Sequence, residues 1–166
     1  MGAGKTTVGR LLAEELGLGF FNLDEVIERD LGMSIPEIFR GFGEEFFRDV
    51  ETETLKKVLE DVEKKIIATG GGVVLRDENW EVMKKEGITI YLRTPPQEIY
   101  SRVKNETNRP LLQVKDPYKK ILELLEERKP LYEKADFIVD TDGLSPEEIA
   151  DKIIRLLGKV EVVKVR

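Results

Sequence analysis

Apolar positions recur along the chain in two rhythms. Leu11, Leu12 and Leu16 share one helical stripe, so the spacing predicts a helix over residues 7–16 that stops at Gly17. Residues 19–23 (GFFNL) are a short apolar run that reads as a strand leading to Asp24, and residues 25–30 read as a helix ending near Gly32. Ser34 caps the next helix, with Pro36 in its first turn and Glu37 three residues after the cap, where a carboxylate reaches back to the cap amide. Residues 44–62 form a long amphipathic helix with Phe46, Phe47, Val50, Leu55 and Leu59 on its buried side. Residues 66–69 (IIAT) are a continuous apolar run of strand length, the pattern of a strand covered on both faces.

The alternation continues with a helix at 78–85, a strand at 89–92, a helix at 97–103 and a polar, Pro-containing loop at 105–117. A long helix at 118–132, a strand at 137–140 and a helix at 146–157, capped by Ser145, follow. Strands alternating with helices predict a three-layer α/β fold, a central parallel sheet covered by helices on both faces. At 166 residues this is one domain, 1–166, without repeats or linkers. Residues 160–165 (VEVVKV) look like one further strand, and this scheme gives them no place.

Composition narrows the chemistry. The balance of 27 basic against 33 acidic residues gives a net charge of −6, so no nucleic-acid or membrane-surface partner is expected. No apolar run is long enough to span a bilayer, and no secretory signal opens the chain, which reads as cytoplasmic. With no histidine and no cysteine, there is no imidazole base, thiolate nucleophile or zinc–sulfur site. Catalysis must rest on carboxylates, Lys, Arg, backbone amides and a hard cation, an inventory suited to phosphoryl transfer. Charged residues reach 36% against four Asn and two Gln, a composition of heat-adapted proteins. An ordinary acidic domain with a Lys/Glu-rich surface has the same look.

The opening residues Met1-Gly2-Ala3-Gly4-Lys5-Thr6-Thr7 match the back half of the phosphate-binding loop G-x-x-x-x-G-K-[ST]. Gly2 and Gly4 let backbone N–H groups turn inward on a phosphate, Lys5 supplies charge, Thr6 offers a hydroxyl to Mg²⁺, and the following helix aims its dipole at the anion. The first glycine of the motif and its preceding strand are not in the sequence. Gly70-Gly71-Gly72 follow the apolar run at 66–69, and three glycines there point to close approach of backbone to a ligand. Ligands bind outside the carboxyl ends of the strands in open α/β sheets, so Asp24, the triple glycine and the phosphate loop should converge.

Local alternatives exist for each residue. Asp24 has the position of a helix cap. Arg48 stands at helical spacing from Glu44 and Glu51, which as a surface pairing is worth a few tenths of a kcal/mol. Arg128, among Glu126, Glu127 and Lys129, has the setting of an exposed helix charge. Phe39 and Phe47 suit a core, and Arg102 a solvated helix face.

Together these segments resemble the shikimate kinase family, small members of the nucleoside monophosphate kinase-like P-loop group. The resemblance rests on M-G-A-G-K-T-T-V-G-R, F-N-L-D, S-I-P-E-I-F, G-E-E-F-F-R-D-V-E, T-G-G-G-V-V, N-R-P-L-L and E-E-R-K-P-L-Y, in that order. It implies transfer of the ATP γ-phosphoryl group to the 3-hydroxyl of shikimate, in aromatic amino-acid biosynthesis. It further implies that Gly2, Ala3, Gly4, Lys5, Thr6 and Thr7 hold the ATP phosphates, with Thr6 and the residue at Asn22 toward Mg²⁺. Asp24 becomes the base on the attacking hydroxyl. Arg48 and Arg128 grip the substrate carboxylate with the amides of Gly71 and Gly72, Gly70 also belongs to the substrate site, and Phe39 and Phe47 wall the pocket. Arg109 becomes the lid arginine that reaches the transferring phosphoryl group, and Arg102 and Pro146 flank the adenine. Residues 24–52 form the substrate-binding segment and 105–117 the lid; a monomer is the default for such kinases.

Asn22 departs from the family's D-x-D, where the first Asp helps hold Mg²⁺; an amide keeps an oxygen but loses the charge. Three alternatives stay open at this level. The substrate is that of another small P-loop kinase, such as gluconate; the chain binds nucleotide without turnover; or the segment at 160–165 replaces the missing first strand by circular permutation, against its lying at a sheet edge.

Overall fold

A computed structural model describes residues 2–164, with side chains up to Lys159. The chain runs α1 (Lys5–Leu16), β1 (Gly19–Asn22), α2 (Leu23–Leu31), α3 (Ile35–Glu60), β2 (Lys65–Ala68), α4 (Asp77–Glu86), β3 (Ile90–Arg93), α5 (Pro96–Val103), α6 (Pro117–Tyr132), β4 (Phe137–Asp140) and α7 (Pro146–Lys164). Single 3₁₀ turns at Val73–Leu75 and Pro110–Leu112 interrupt the loops. Strand and helix alternate as the apolar pattern predicts.

The strands pair in parallel as two couples. β1 lies on β2 with Gly19 opposite Lys65 and Asn22 opposite Ala68, and β3 lies on β4 with Ile90 opposite Phe137 and Arg93 opposite Asp140. The expected single sheet is therefore present as two parallel pairs, not hydrogen-bonded to each other among the described residues. Side chains bridge them. Val8 and Leu12 of α1, Leu92 of β3, Val139 of β4 and Ile149 and Ile153 of α7 form one buried cluster, with Ile66 of β2 packed against it. A second cluster, around Leu23, Ile27, Ile38, Leu55 and Trp80, joins α2, α3 and α4. A third sets Ile99 and Val103 of α5 against Ile121 and Leu124 of α6, with Leu112 between them.

Helix starts follow the capping residues. Ser34 and Glu37 form the expected capping box: the Glu37 amide donates to Ser34 Oγ, and Ser34 N–H donates to Glu37 Oε2 at 2.7 Å. Ser145 caps α7 in the same way with Glu148. The cap of α2 is Asn22, whose Oδ1 accepts from the amides of Asp24 at 3.0 Å and Glu25 at 3.3 Å. Asp24 thus sits in the first helical turn and is not the cap.

Three expectations are corrected. The helices predicted from Ser34 and over 44–62 run together as α3, broken at Gly43 (φ 84°, ψ 172°), a conformation that favours glycine. The break resets the helical phase so that Phe47 turns inward at 4% exposure while Phe46 faces out and stacks on Phe42. Leu16 closes α1 at 38% exposure, outside its buried stripe, as the last residue before the Gly17 cap. The segment read as a strand from residue 160 continues α7 to Lys164. Gly158 costs a helix only about 1 kcal/mol, too little to end one already anchored through Ile149 and Ile153. No strand is therefore supplied by residues 160–164, and the permutation is set aside; Val165, Arg166 and Met1 lie outside the described residues.

Candidate active site

The phosphate loop is shaped by glycine. Gly2 (φ 57°) and Gly4 (φ 85°) both lie in the left-handed region, and Gly4 is the N-cap of α1. A Cβ on Gly2 would stand 2.8 Å from Val103 Cγ1, so α5 packs directly on the loop. Ala3 is buried, Thr7 exposed, and Lys5 and Thr6 lie between. Arg102 of α5 ties itself to the loop: Nη1 donates to the Gly2 carbonyl at 3.1 Å and Nη2 to Glu98 Oε2 at 3.2 Å. Pro146 is the half-buried first residue of α7, directly after the Ser145 cap.

Asn22 is used twice. Its Oδ1 caps α2, which turns its Nδ2 onto Thr6 Oγ1 at 3.0 Å. The amide oxygen is committed to the helix cap, and its N–H steadies the threonine. Among the described residues no cluster of three or more acidic side chains is placed to hold a metal ion. Of the two residues expected toward the metal, Asn22 has its oxygen in the α2 cap, and the Thr6 hydroxyl accepts from the same side chain.

Asp24, Phe39, Phe47, Arg48, Gly70, Gly71, Gly72, Arg109 and Arg128 line one pocket. These residues come from five separate segments, and the fold joins them as the strand-end rule predicts. Burial pushes the Asp24 carboxyl above its ordinary range, with Lys5 and Arg109 pulling it back down. Burial also lowers the Lys5 ammonium, reinforced by Arg109 and opposed by Asp24. Lys5, Asp24 and Arg109 thus feel one another's charge across the boundary between loop and pocket. Arg109 is held by Glu106, Nε to Oε2 at 2.9 Å.

Neither Arg48 nor Arg128 is a surface charge; they are 7% and 5% exposed. Arg48 does pair at helical spacing, Nη1 with Glu51 at 2.9 Å and Nη2 with Glu44 at 3.2 Å, but inside the pocket wall. The Nε atoms of both arginines are buried without a partner. The glycines serve this arrangement. A Cβ on Gly72 would stand 2.3 Å from the Arg48 guanidinium, and one on Gly70 would stand 3.0 Å from Glu51 Oε2 and 3.2 Å from Asp24 Oδ1. Backbone approaches here the very side chains that would meet a ligand.

A family model described as shikimate kinase matches residues 1–158. The chain belongs to the shikimate kinase family. The shikimate kinase of Thermodesulfovibrio yellowstonii is 56% identical over 155 residues, covering 93% of this chain and 89% of the relative. The solved shikimate kinase of Acinetobacter baumannii, in complex with shikimate, superposes with a TM-score of 0.93 at 42% identity, covering 96% of this chain and 89% of that one. That of Aquifex aeolicus gives 0.83 at 38% identity, covering 95% and 92%.

Two polar residues escape sequence reasoning, Glu51 in the lining of this shikimate kinase family pocket and Tyr132 behind its Gly71. Glu51 is fully buried; burial raises its carboxyl while Arg48 and Arg128 hold it down, and its Oε2 has no partner. Its signal was the i, i+3 spacing to Arg48, which reads equally as a solvated pair. Tyr132 donates its hydroxyl to the Gly71 carbonyl at 2.7 Å. It closes the E-E-R-K-P-L-Y run, but nothing local marks it.

Proposed function

We propose that this chain transfers the γ-phosphoryl group of ATP to the 3-hydroxyl of shikimate. The observation that carries the reading is one pocket lined by the buried Arg48 and Arg128 together with Asp24 and Arg109, the last two sharing their charge environment with Lys5 of the phosphate loop. A small carboxylate bearing a hydroxyl suits this set.

Arg48 and Arg128 take the carboxylate. A guanidinium offers paired N–H donors in a fork that matches two carboxylate oxygens, and burial strengthens the pairing. Phe39 and Phe47, ring centroids 4.9 Å apart, form the apolar wall against the substrate ring. The Gly71 and Gly72 amides complete the carboxylate end. Asp24, its basicity raised by burial, accepts the proton of the attacking hydroxyl.

Gly2, Ala3, Gly4, Lys5, Thr6 and Thr7 hold the ATP phosphates at the start of α1. Arg109 leaves Glu106 to reach the transferring group as residues 105–117 close, adding charge where water has been expelled. Arg102 and Pro146 bracket the adenine. Thr6 would be the residue to hold Mg²⁺, which would neutralise phosphate charge when bound; the Asn22 oxygen is committed to the α2 cap. The enzyme acts as a cytoplasmic monomer. No helix among the described residues is long and apolar enough to cross a membrane.

The test is ADP release in a coupled assay with shikimate, with gluconate and with neither, in the presence of Mg²⁺. ADP release that depends on shikimate alone is expected. Equal release with gluconate, or none with either, overturns the reading.

A further inference from the structure

Tyr132 is the last residue of α6, one turn beyond Arg128. Its ring stacks on Tyr91 of β3, centroids 4.9 Å apart and planes 21° apart, so the ring is fixed in place. From that platform the hydroxyl donates to the Gly71 carbonyl at 2.7 Å, across 61 residues of sequence. Gly71 itself lines the pocket, as does Arg128.

The bond acts on a whole peptide unit. No cis peptide occurs among the described residues, so the Gly71 carbonyl and the Gly72 N–H lie in one peptide plane and point in opposite directions. Fixing the carbonyl on Tyr132 therefore aims the Gly72 N–H away from the tyrosine. The missing Cβ of Gly72 already faces the Arg48 guanidinium, which places that residue at the carboxylate end of the pocket. A peptide between two glycines needs such a fix. With no Cβ on either side, both signs of φ are accessible, and the plane flips at little cost.

We propose that Tyr132 is a positioning residue for substrate-carboxylate recognition: its hydroxyl sets the Gly71–Gly72 peptide so that the Gly72 amide joins Arg48 and Arg128. The proposal rests on the phosphoryl-transfer reading above for the identity of the carboxylate. The chemistry at the hydroxyl supports it as well. Burial raises the Tyr132 phenol, and the Arg128 guanidinium beside it opposes that shift without reversing it, so the group remains a donor at neutral pH.

Tyr132→Phe removes the oxygen and keeps the ring on Tyr91. The expected result is a shikimate KM raised about tenfold, the upper range for one neutral hydrogen bond, with ATP KM and kcat at saturating shikimate unchanged. The effect should vanish for an analogue whose carboxylate is reduced to an alcohol, which wild type and variant would bind equally. In substrate-free protein the Gly72 amide resonance should be sharp in wild type and broadened in Tyr132→Phe. An unchanged shikimate KM, an equal rise for both substrates, or the same loss with the alcohol analogue overturns the inference. If the wild type releases no ADP with shikimate, the functional reading fails, and the Gly72 resonance then decides: broadening upholds the positioning role, and an unchanged resonance overturns it.

Discussion

Arg48 donates through Nη1 to Glu51 Oε1 at 2.9 Å, and both side chains are buried, three residues apart on α3. The pair presents a guanidinium to the pocket with one N–H already committed, so the arginine is held in position before any ligand arrives. Removing the carboxylate would leave a buried cation with only Glu44, a half-exposed partner, to hold it. Glu51→Ala should destabilise the fold by about 3–5 kcal/mol, whereas Glu51→Gln, which keeps an oxygen for Nη1, should lose less. Urea unfolding of both variants checks this. Equal losses would mean that side-chain volume, and not the ion pair, supports Arg48.

Asp24 makes stability depend on pH in an unusual direction. A carboxyl raised by burial binds more protons in the folded state than in the unfolded one over the interval between its two pKa values. Stability from this group is therefore full below the unfolded value, about 4, and declines as pH rises toward the folded value. Asp24→Asn removes the decline. Melting temperatures of variant and wild type should coincide near the acid end and diverge, with the variant higher, toward neutral pH. Under the proposed mechanism the same variant should lose at least about a hundredfold in kcat, because it lacks the carboxylate read as the general base. A variant that melts lower at neutral pH would show that Asp24 is stabilised by Lys5 and Arg109 more than burial penalises it.

Arg109 pairs with Glu106, and the proposed mechanism has it leave that partner. Arg109→Ala should lower kcat roughly a hundredfold with shikimate affinity kept, since its contact belongs to the transition state. Hydrogen exchange of residues 105–117 should slow when ATP analogue and shikimate are both present. Equal exchange with and without them would remove the lid from the mechanism.

The triple glycine supplies a graded test. Gly72→Ala puts a methyl 2.3 Å from the Arg48 guanidinium, while Gly70→Ala meets Glu51 Oε2 at 3.0 Å. At residue 72 the methyl displaces the buried Arg48 guanidinium from its pairing with Glu51, so Gly72→Ala should raise shikimate KM, roughly tenfold or more, and lower Tm, with ATP KM nearly kept. Gly70→Ala should cost less. Kinetics of both variants rank them, and the reverse order would place the carboxylate nearer Gly70.

Each described strand and helix was legible within a few residues because its apolar rhythm and its cap agree, as at Ser34 and Ser145. The exceptions have physical causes. Gly43 joins two predicted helices, since a glycine between helical runs does not declare whether it bends or ends them. The segment at 160–164 alternates like a strand but is held as helix by what precedes it. At the site, the charged residues were legible through their motifs. Glu51 was not, because spacing alone cannot separate a buried pair from a solvated one. Tyr132 was not, because its partner lies 61 residues away and is a backbone carbonyl.

The break at Gly43 divides the pocket's ownership. Phe39 belongs to the rod before it, and Phe47, Arg48 and Glu51 to the rod after it. Nothing lies within 4 Å of where a Cβ on Gly43 would be, so the glycine is there for its torsion and not for room. Phe39 is thus joined to Phe47 and the cationic clamp by a single rotatable residue rather than by a stiff helix. One pair of dihedral angles then sets the gap between them, and with it the thickness of the ring the cleft admits.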